Sequence, residues 1–515
     1  MKTQAIFLLA MGLSLYSSFA EAKAATSGNC NPNGNQFNLE PLVNAQLTGQ
    51  SNDSVGFILG RGGNGVDLVV GAASDARVLN PVLFYDGFYL PAYYAQRDNS
   101  NCAADFEGGT PVLQGDFPIG APQVAADPAH DAFFIANTVI QQSDAYAISI
   151  MKSTSANLLN AANCPNGTQN NPSACWNVQV DANSLPFVSA YGNPLIAVDQ
   201  RTNGIGAGDV YVTANLDTFT NPGQEAQISL VACTNSTLKC STNVIVSGTD
   251  VQASYPFVQI RPDGGITISY ANIVPKDGLT SELQIRFVNC TPQGAPNPPT
   301  CSAPTPVTDA KRLADPVGDE TGFGDLSYPW HVDRLEADGK TVTSFLIYDQ
   351  CAVSTTPASN IGRGLCPKTQ VAIASSTDGG NTWSSFQPVS PNTPGQQFLG
   401  NIALDASTGT VNIAYYSTQN DGRKLRTQIF LAQIPPGQTT VGAVNQITST
   451  LFDNTPGCIV QGDAECSYYL GVAAAGTGQK GQSHVYIHFM SGTRGGSFNG
   501  QAFPIFANTL TRFDY

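Results

Sequence analysis

Short apolar stretches of five or six residues, rich in Val, Ile, Ala, Phe and Tyr, recur along the chain between turns of Gly, Asp, Asn and Pro. Their length and composition predict β-strands, and no sustained helical spacing of apolar positions competes with that reading. The stretches come in pairs. Pro122-Gln-Val-Ala-Ala-Asp127 is followed by Phe133 to Val139, Pro194-Leu-Ile-Ala-Val-Asp199 by Val210 to Ala214, and Pro256-Phe-Val-Gln-Ile-Arg261 by Ile266 to Ala271. Pro329-Trp-His-Val-Asp-Arg334 pairs with Val342 to Tyr348, and Gly400-Asn-Ile-Ala-Leu-Asp405 with Val411 to Tyr416. Fainter copies begin at Gly56 and Gly471.

These seven anchors are spaced 62 to 73 residues apart and occupy nearly all of the chain beyond its first fifty residues. A unit of about seventy residues has room for four strands of ~5–6 residues with their loops. Units of four strands repeated about an axis are the blades of a propeller, so the expected fold is all-β: a seven-bladed β-propeller. The last unit offers only three strands, and a segment around Phe37 to Leu47 would supply its fourth and remove an exposed edge. Outer strands are legible in two units, as Ile228 to Ala232 with Val244 to Val246, and Leu283 to Val288 with Thr305 to Val307.

The first 22 residues read differently. Lys2, the apolar run Ala5 to Leu15, and the small-x-small site Ala20-Glu21-Ala22 form a secretory signal peptide cleaved after Ala22. The domain layout is then 1–22 signal peptide and 23–515 one propeller domain, secreted or periplasmic. The twelve cysteines of an exported chain are read as disulfides. Local pairing gives Cys164–Cys175, Cys233–Cys240, Cys290–Cys301, Cys351–Cys366 and Cys458–Cys466, and leaves Cys30–Cys102 as the long-range pair. With no CxxC and four dispersed histidines, no metal site is expected. His484 and His488 alternate on one strand face without a third ligand close in sequence.

In the fifth unit the third strand runs into Ser376-x-Asp378-x-Gly380-x-Thr382-Trp383. This segment is similar to the Asp-box, or bacterial neuraminidase (BNR) repeat, and through it the chain resembles the sialidase-like β-propellers. The resemblance implies a hairpin between the third and fourth strands of a blade, on the periphery and away from the family's active site. Asp378 is expected to accept backbone N–H bonds, Gly380 to take positive φ, and Trp383 to pack under the loop. Their role is structural. Sialidases also carry an Arg-Ile-Pro motif and an arginine triad. Arg-Ile-Pro does not occur here, and Arg61, Arg261 and Arg334 each fall five residues after an anchor, as turn residues on the opposite face. True sialidase activity is not expected.

In propellers of this kind the first strand begins at the ligand-binding face and the second ends there. Candidate residues at the mouth are Asp116, Tyr191, Tyr255, Asp349, Tyr468 and Tyr469 for ligand binding, and Asp325, Tyr328, His331 and Asp463 for chemistry. Tyr faces stack on pyranose C–H groups, while amides and carboxylates bind hydroxyls. Two chemistries fit. Tyr328 and His331 near Asp325 suit the proton abstraction of a polysaccharide lyase. Asp325 and Asp463 suit the acid and base of glycoside hydrolysis. Each residue also has a plain structural reading: Tyr beside Pro packs between blades, Asn and Asp cap turns, and a lone strand His is a satisfied core imidazole.

Charge narrows the partners. The net charge of −15 argues against nucleic acid and against anionic lipid. It also makes a carboxylate substrate costly unless a cation bridges it. No cofactor motif is present, although an acidic mouth has room for a structural cation. Nothing after the leader is long and apolar enough to insert in a membrane. The expected partner is a glycan or glycoconjugate met by a monomer, either processed or simply bound; the alternative is a protein-binding or structural surface propeller.

Overall fold

In a computed structural model of the chain, the described residues are 37–39, 50–63, 65–75, 90–97, 106–109, 116–160, 175–176, 178–185, 189–218, 226–250, 252–277, 280–307, 328–352, 368–423, 426–452, 470–479, 481–498 and 501–515. Strands and the turns between them make up nearly all of these residues, and Ser155–Leu158 is a short helix. The strands form seven antiparallel sheets, the first six running as meanders in chain order. The first six start at Gln50–Ile58, Phe117–Asp127, Ser189–Val198, Ala253–Ile260, Trp330–Leu335 and Gln397–Asp405. The seventh is built from Gly471–Gly476, Ser483–Phe498 and Gln501–Asp514, and its fourth strand comes from the other end of the chain. There Phe37 pairs with Arg512, Asn38 with Thr511 and Leu39 with Leu510, as the missing-strand reasoning expects.

The first strand of each sheet packs on the first strand of the next, and Gly471–Gly476 packs back on Gln50–Ile58. A separate apolar cluster fills each space between neighbours. In the third sheet Val210, Val212 and Ala214 join the cluster shared with the second sheet, while Tyr211 joins the one shared with the fourth. Both faces of such a strand are buried, which is why the sequence shows unbroken apolar runs rather than alternation.

A bulge interrupts the first strand at matching places: between Ser51 and Ser54, Ile119 and Gln123, Gly192 and Leu195, Ser254 and Phe257, and Phe398 and Asn401. Asn193, Tyr255 and Leu399 take positive φ there, at +47°, +58° and +50°. Pro122, Pro194 and Pro256 sit at these bulges, where a missing N–H is tolerated.

Cys233–Cys240 and Cys290–Cys301 are disulfides with Cα atoms 4.0 Å apart, each closing the outer part of its sheet. Cys175 and Cys351 are also disulfide-bonded. Cys30, Cys102, Cys164, Cys366, Cys458 and Cys466 lie outside the described residues. No helix of the described residues is long and apolar enough to cross a membrane.

Candidate functional site

The Ser376–Trp383 turn is held by its own side chains. Asp378 Oδ1 accepts from the N–H groups of Asn381 (3.0 Å) and Thr382 (2.9 Å), and Oδ2 accepts from the Thr382 hydroxyl (2.6 Å). These donors hold its carboxyl down at about 2. Gly380 has φ +85°, and a Cβ there would stand 2.4 Å from the Phe287 ring of the preceding sheet. Trp383 packs edge-on against the same ring at 5.2 Å and donates to the Gly380 carbonyl. All five residues serve the turn, which links the third strand, Thr369–Ser376, to the fourth, Gln387–Pro388.

The mouth residues divide. Asp325, Asp463, Tyr468 and Tyr469 lie outside the described residues. Tyr328 is 2% exposed and packs against Tyr255 and Trp330, beneath the rim where the sequence pattern set it. His331 is 0% exposed, and its Nδ1 is 2.6 Å from Ser269 Oγ and its Nε2 2.9 Å from Thr267 Oγ1. Burial pushes its imidazole down to about 3. It is a neutral ring between the fourth and fifth sheets, turned away from solvent, because its strand position faces the neighbouring sheet. Tyr191 is also buried; its hydroxyl donates to the Asn183 carbonyl at 3.0 Å and accepts from Asn243 Nδ2.

Asp349 shows what the ends of the second strands do. Its Oδ2 accepts from the Leu399 N–H at 2.6 Å, and its Oδ1 from Gly400 at 3.4 Å. Those N–H groups belong to the bulge of the next sheet. Asn215 Oδ1 accepts likewise from Tyr255 N–H (3.2 Å), the Tyr416 hydroxyl bonds Met490, and His488 Nδ1 is 3.1 Å from the Ser54 carbonyl. Polar residues that sequence spacing arranges about a mouth are turned sideways, as latches from one sheet to the next. Burial pushes the Asp349 carboxyl up to about 7, against the pull of its two N–H donors.

The arginines follow the turn reading. Arg334 is 2% exposed, paired with Glu336 and donating to the carbonyls of Pro435 and Gln438; Arg261 pairs with Asp263, and Arg61 lies 3.7 Å from Asp131. His484 Nδ1 lies 2.5 Å from Asp67 Oδ2 across the join between the seventh and first sheets, and His488 faces Ser54 instead. Among the described residues no group of three His, Cys, Asp or Glu side chains could hold a metal ion.

Two carboxyls that sequence reasoning passed over are held above the usual carboxylate range. Asp181 Oδ2 accepts from Gln141 Nε2 at 3.2 Å, its Oδ1 is buried without a hydrogen-bond partner among the described residues, and the Asp116 carboxyl is its acidic neighbour. Burial first, and then the neighbouring Asp116 carboxyl, push it up to about 6. Asp217, at the end of the second strand of the third sheet, is pushed up to about 6 by burial alone. Asp116 was legible from its place before a first strand. Asp181 sits on an outer strand, and no local pattern in the sequence marks it.

No protein-family model and no curated protein matches this chain. Among solved structures it is similar to a protein of unknown function from Dyadobacter fermentans, at 10% identity and a TM-score of 0.43, over 93% of this chain and 99% of that one. It is similar to an α-L-arabinofuranosidase from Fusarium graminearum, at 10% identity and a TM-score of 0.43, over 78% and 98%. It is also similar to the leech intramolecular trans-sialidase, at 11% identity and a TM-score of 0.41, over 96% and 71%. At such identities no residue role passes from these proteins to this chain.

Proposed function

We propose that this chain is an exported, seven-bladed β-propeller of the sialidase-like superfamily that binds or processes glycans through the face on which its first strands begin. It is not a sialidase proper. The seven sheets and the circuit of contacts between their first strands support the blade count. The bonding within Ser376–Trp383 supports an Asp-box. Arg61, Arg261 and Arg334 are engaged in turns, which supports a protein that does not use them on a sialic acid carboxylate.

The observation that carries a glycan reading is two half-buried carboxyls, Asp181 in the second sheet with Asp116 as its acidic neighbour, and separately Asp217 in the third, each pushed up to about 6. A carboxyl that keeps its proton to about pH 6 can protonate a glycosidic oxygen, while an ionised neighbour serves as base or nucleophile. His331 is neutral, enclosed and bonded on both nitrogens, so acid–base duty falls to these residues, or to Asp325 and Asp463 as the sequence pattern proposes. If the protein is a hydrolase, Asp181→Asn or Asp217→Asn lowers turnover by at least ~100-fold on whichever glycoside it cleaves. Unchanged turnover in both variants would sink the assignment.

A second reading, a non-catalytic binder, is favoured by the burial of Tyr191, Tyr328 and Asp349, which serve the framework. Sugar binding without turnover in the wild-type protein would select it. A protein that neither binds nor cleaves any sugar would refute both and leave a protein-binding or structural propeller.

A further inference from the structure

Asn137 lies on the second strand of the second sheet, Ala132–Ile140. It is 0% exposed, and neither its Oδ1 nor its Nδ2 has a hydrogen-bond partner among the described residues. Buried side-chain amides nearly always find partners, and leaving one unpaired is costly, so this one calls for a physical reason. Its position is also unusual within the repeat. One residue past the first pair after the bulge, the fourth and sixth sheets place the buried Tyr270 and Tyr415 and the first and third place Ala73 and Ala214, while in the unbulged fifth sheet Tyr348 follows the first pair; the three tyrosines pack toward the preceding sheet. The second sheet places the polar Asn137 there.

The register shows what lies beside it. Asn137 pairs with Ser149, and Ser149 pairs with Asp181. Directly paired residues share a face of the sheet, so the three side chains form one row. Phe133, Ile135 and Met151 lie on that same face and pack with Leu68, Val70 and Tyr93, so the row faces the first sheet. It runs from fully buried Asn137 and Ser149 to partly exposed Asp181. At the open end Gln141 donates to Asp181 Oδ2, and Asp181 Oδ1, like the Asn137 amide, has no hydrogen-bond partner among the described residues. Lys152 is on the opposite face, over Phe134, and no described lysine or arginine stands in the row.

We propose that this row is a pocket for a neutral, hydroxyl-rich ligand, the vicinal hydroxyls of a sugar, with Asn137 at its floor and Asp181 at its opening. An amide offers one donor and one acceptor side by side, the complement of a diol, and a row without cations has nothing to recognise an anion. The proposal rests on the glycan reading and gives it a contact point in the second blade, away from Tyr328. Leaving the floor amide unpaired in the free protein is the mark of a group reserved for a ligand at the expense of stability.

Binding of galactose, glucose, xylose, lactose, cellobiose and xylobiose, measured by saturation-transfer NMR and calorimetry, tests this on wild type, Asn137→Leu and Asn137→Ser. The expected result is that wild type binds at least one sugar, that Asn137→Leu weakens it ~10-fold or more, and that Asn137→Ser weakens it to a lesser degree. Asn137→Leu, which replaces an unpaired buried amide by an apolar side chain of the same branching, should also raise the unfolding temperature. Unchanged affinity in both variants overturns the pocket and leaves the glycan reading standing. A lower unfolding temperature in Asn137→Leu means that a trapped water already satisfies the amide, and this too overturns the pocket. No sugar bound by wild type overturns both.

Discussion

Replacing Asp349 by Asn tests the sideways latch and the protonation that goes with it. The Asp349 carboxyl is 3% exposed and takes the N–H groups of Leu399 and Gly400 across to the sixth sheet, and burial pushes it from 3.8 up to about 7. A carboxyl whose folded value is raised keeps its proton in the folded state. Its contribution is therefore complete below the unfolded value and is lost as pH rises through the folded value. At 1.36 kcal/mol per pKa unit, that shift amounts to about 4 kcal/mol in all, of which about 3 kcal/mol falls between pH 4.5 and 7.5. An asparagine in its place cannot ionise, so the difference in unfolding free energy, wild type minus Asp349→Asn, should move by about 3 kcal/mol in favour of wild type on acidification from pH 7.5 to 4.5. Other titrating groups cancel in that difference. Urea unfolding followed by tryptophan fluorescence and circular dichroism at four pH values measures it. Asp349→Ala, which strands two buried N–H groups at every pH, should lose about 2–4 kcal/mol throughout. A difference between wild type and the asparagine variant that stays constant across the range would refute the reasoning, since Asp349 would then be ionised in its latch.

Three further outcomes are expected. His331 is held down at about 3, so its contribution is complete above 6.5 and falls by about 1.4 kcal/mol per pH unit below it; His331→Gln should flatten acid unfolding by that slope between pH 6 and 4, and parallel curves would count against its neutral burial. Gly380→Ala puts a methyl 2.4 Å from the Phe287 ring at positive φ, and should cost ~2 kcal/mol or more in thermal or urea unfolding; a neutral effect would mean the turn is free to shift. Replacing Cys290 and Cys301 by Ala opens a loop with a separation of 11 residues, and should cost ~2–3 kcal/mol in urea unfolding while circular dichroism keeps the native strand signal.

The legible part of this fold was its period. Apolar pairs anchored on Pro or Gly gave sheet starts that coincide with the bulged first strands, because strand length and turn chemistry are local properties. The terminal pairing at Phe37–Leu39 followed from counting strands, and the staples at Cys233–Cys240 and Cys290–Cys301 from proximity. Side-chain direction was the illegible part. Whether Asp349 points at solvent or at Leu399 depends on the angle between neighbouring sheets, which no window of sequence contains. The same blindness set Tyr328 and His331 at a rim, though their strand parity turns them into the spaces between sheets. Asp181 was missed for a related reason: its acidic neighbour Asp116 is distant in sequence and is brought to it by the meander of one sheet.

Both disulfides with two described cysteines close a loop inside a single sheet, and neither joins one sheet to another. Those covalent links are thus private to a unit, while the continuity of the circuit rests on strand packing and latches such as Asp349 to Leu399. A unit that carries its own staple travels as a cassette: it can be duplicated, exchanged or lost without stranding a cysteine elsewhere. Wear falls the same way. A reducing environment loosens the rim of one unit at a time, whereas acid or denaturant acts on the seams that all units share.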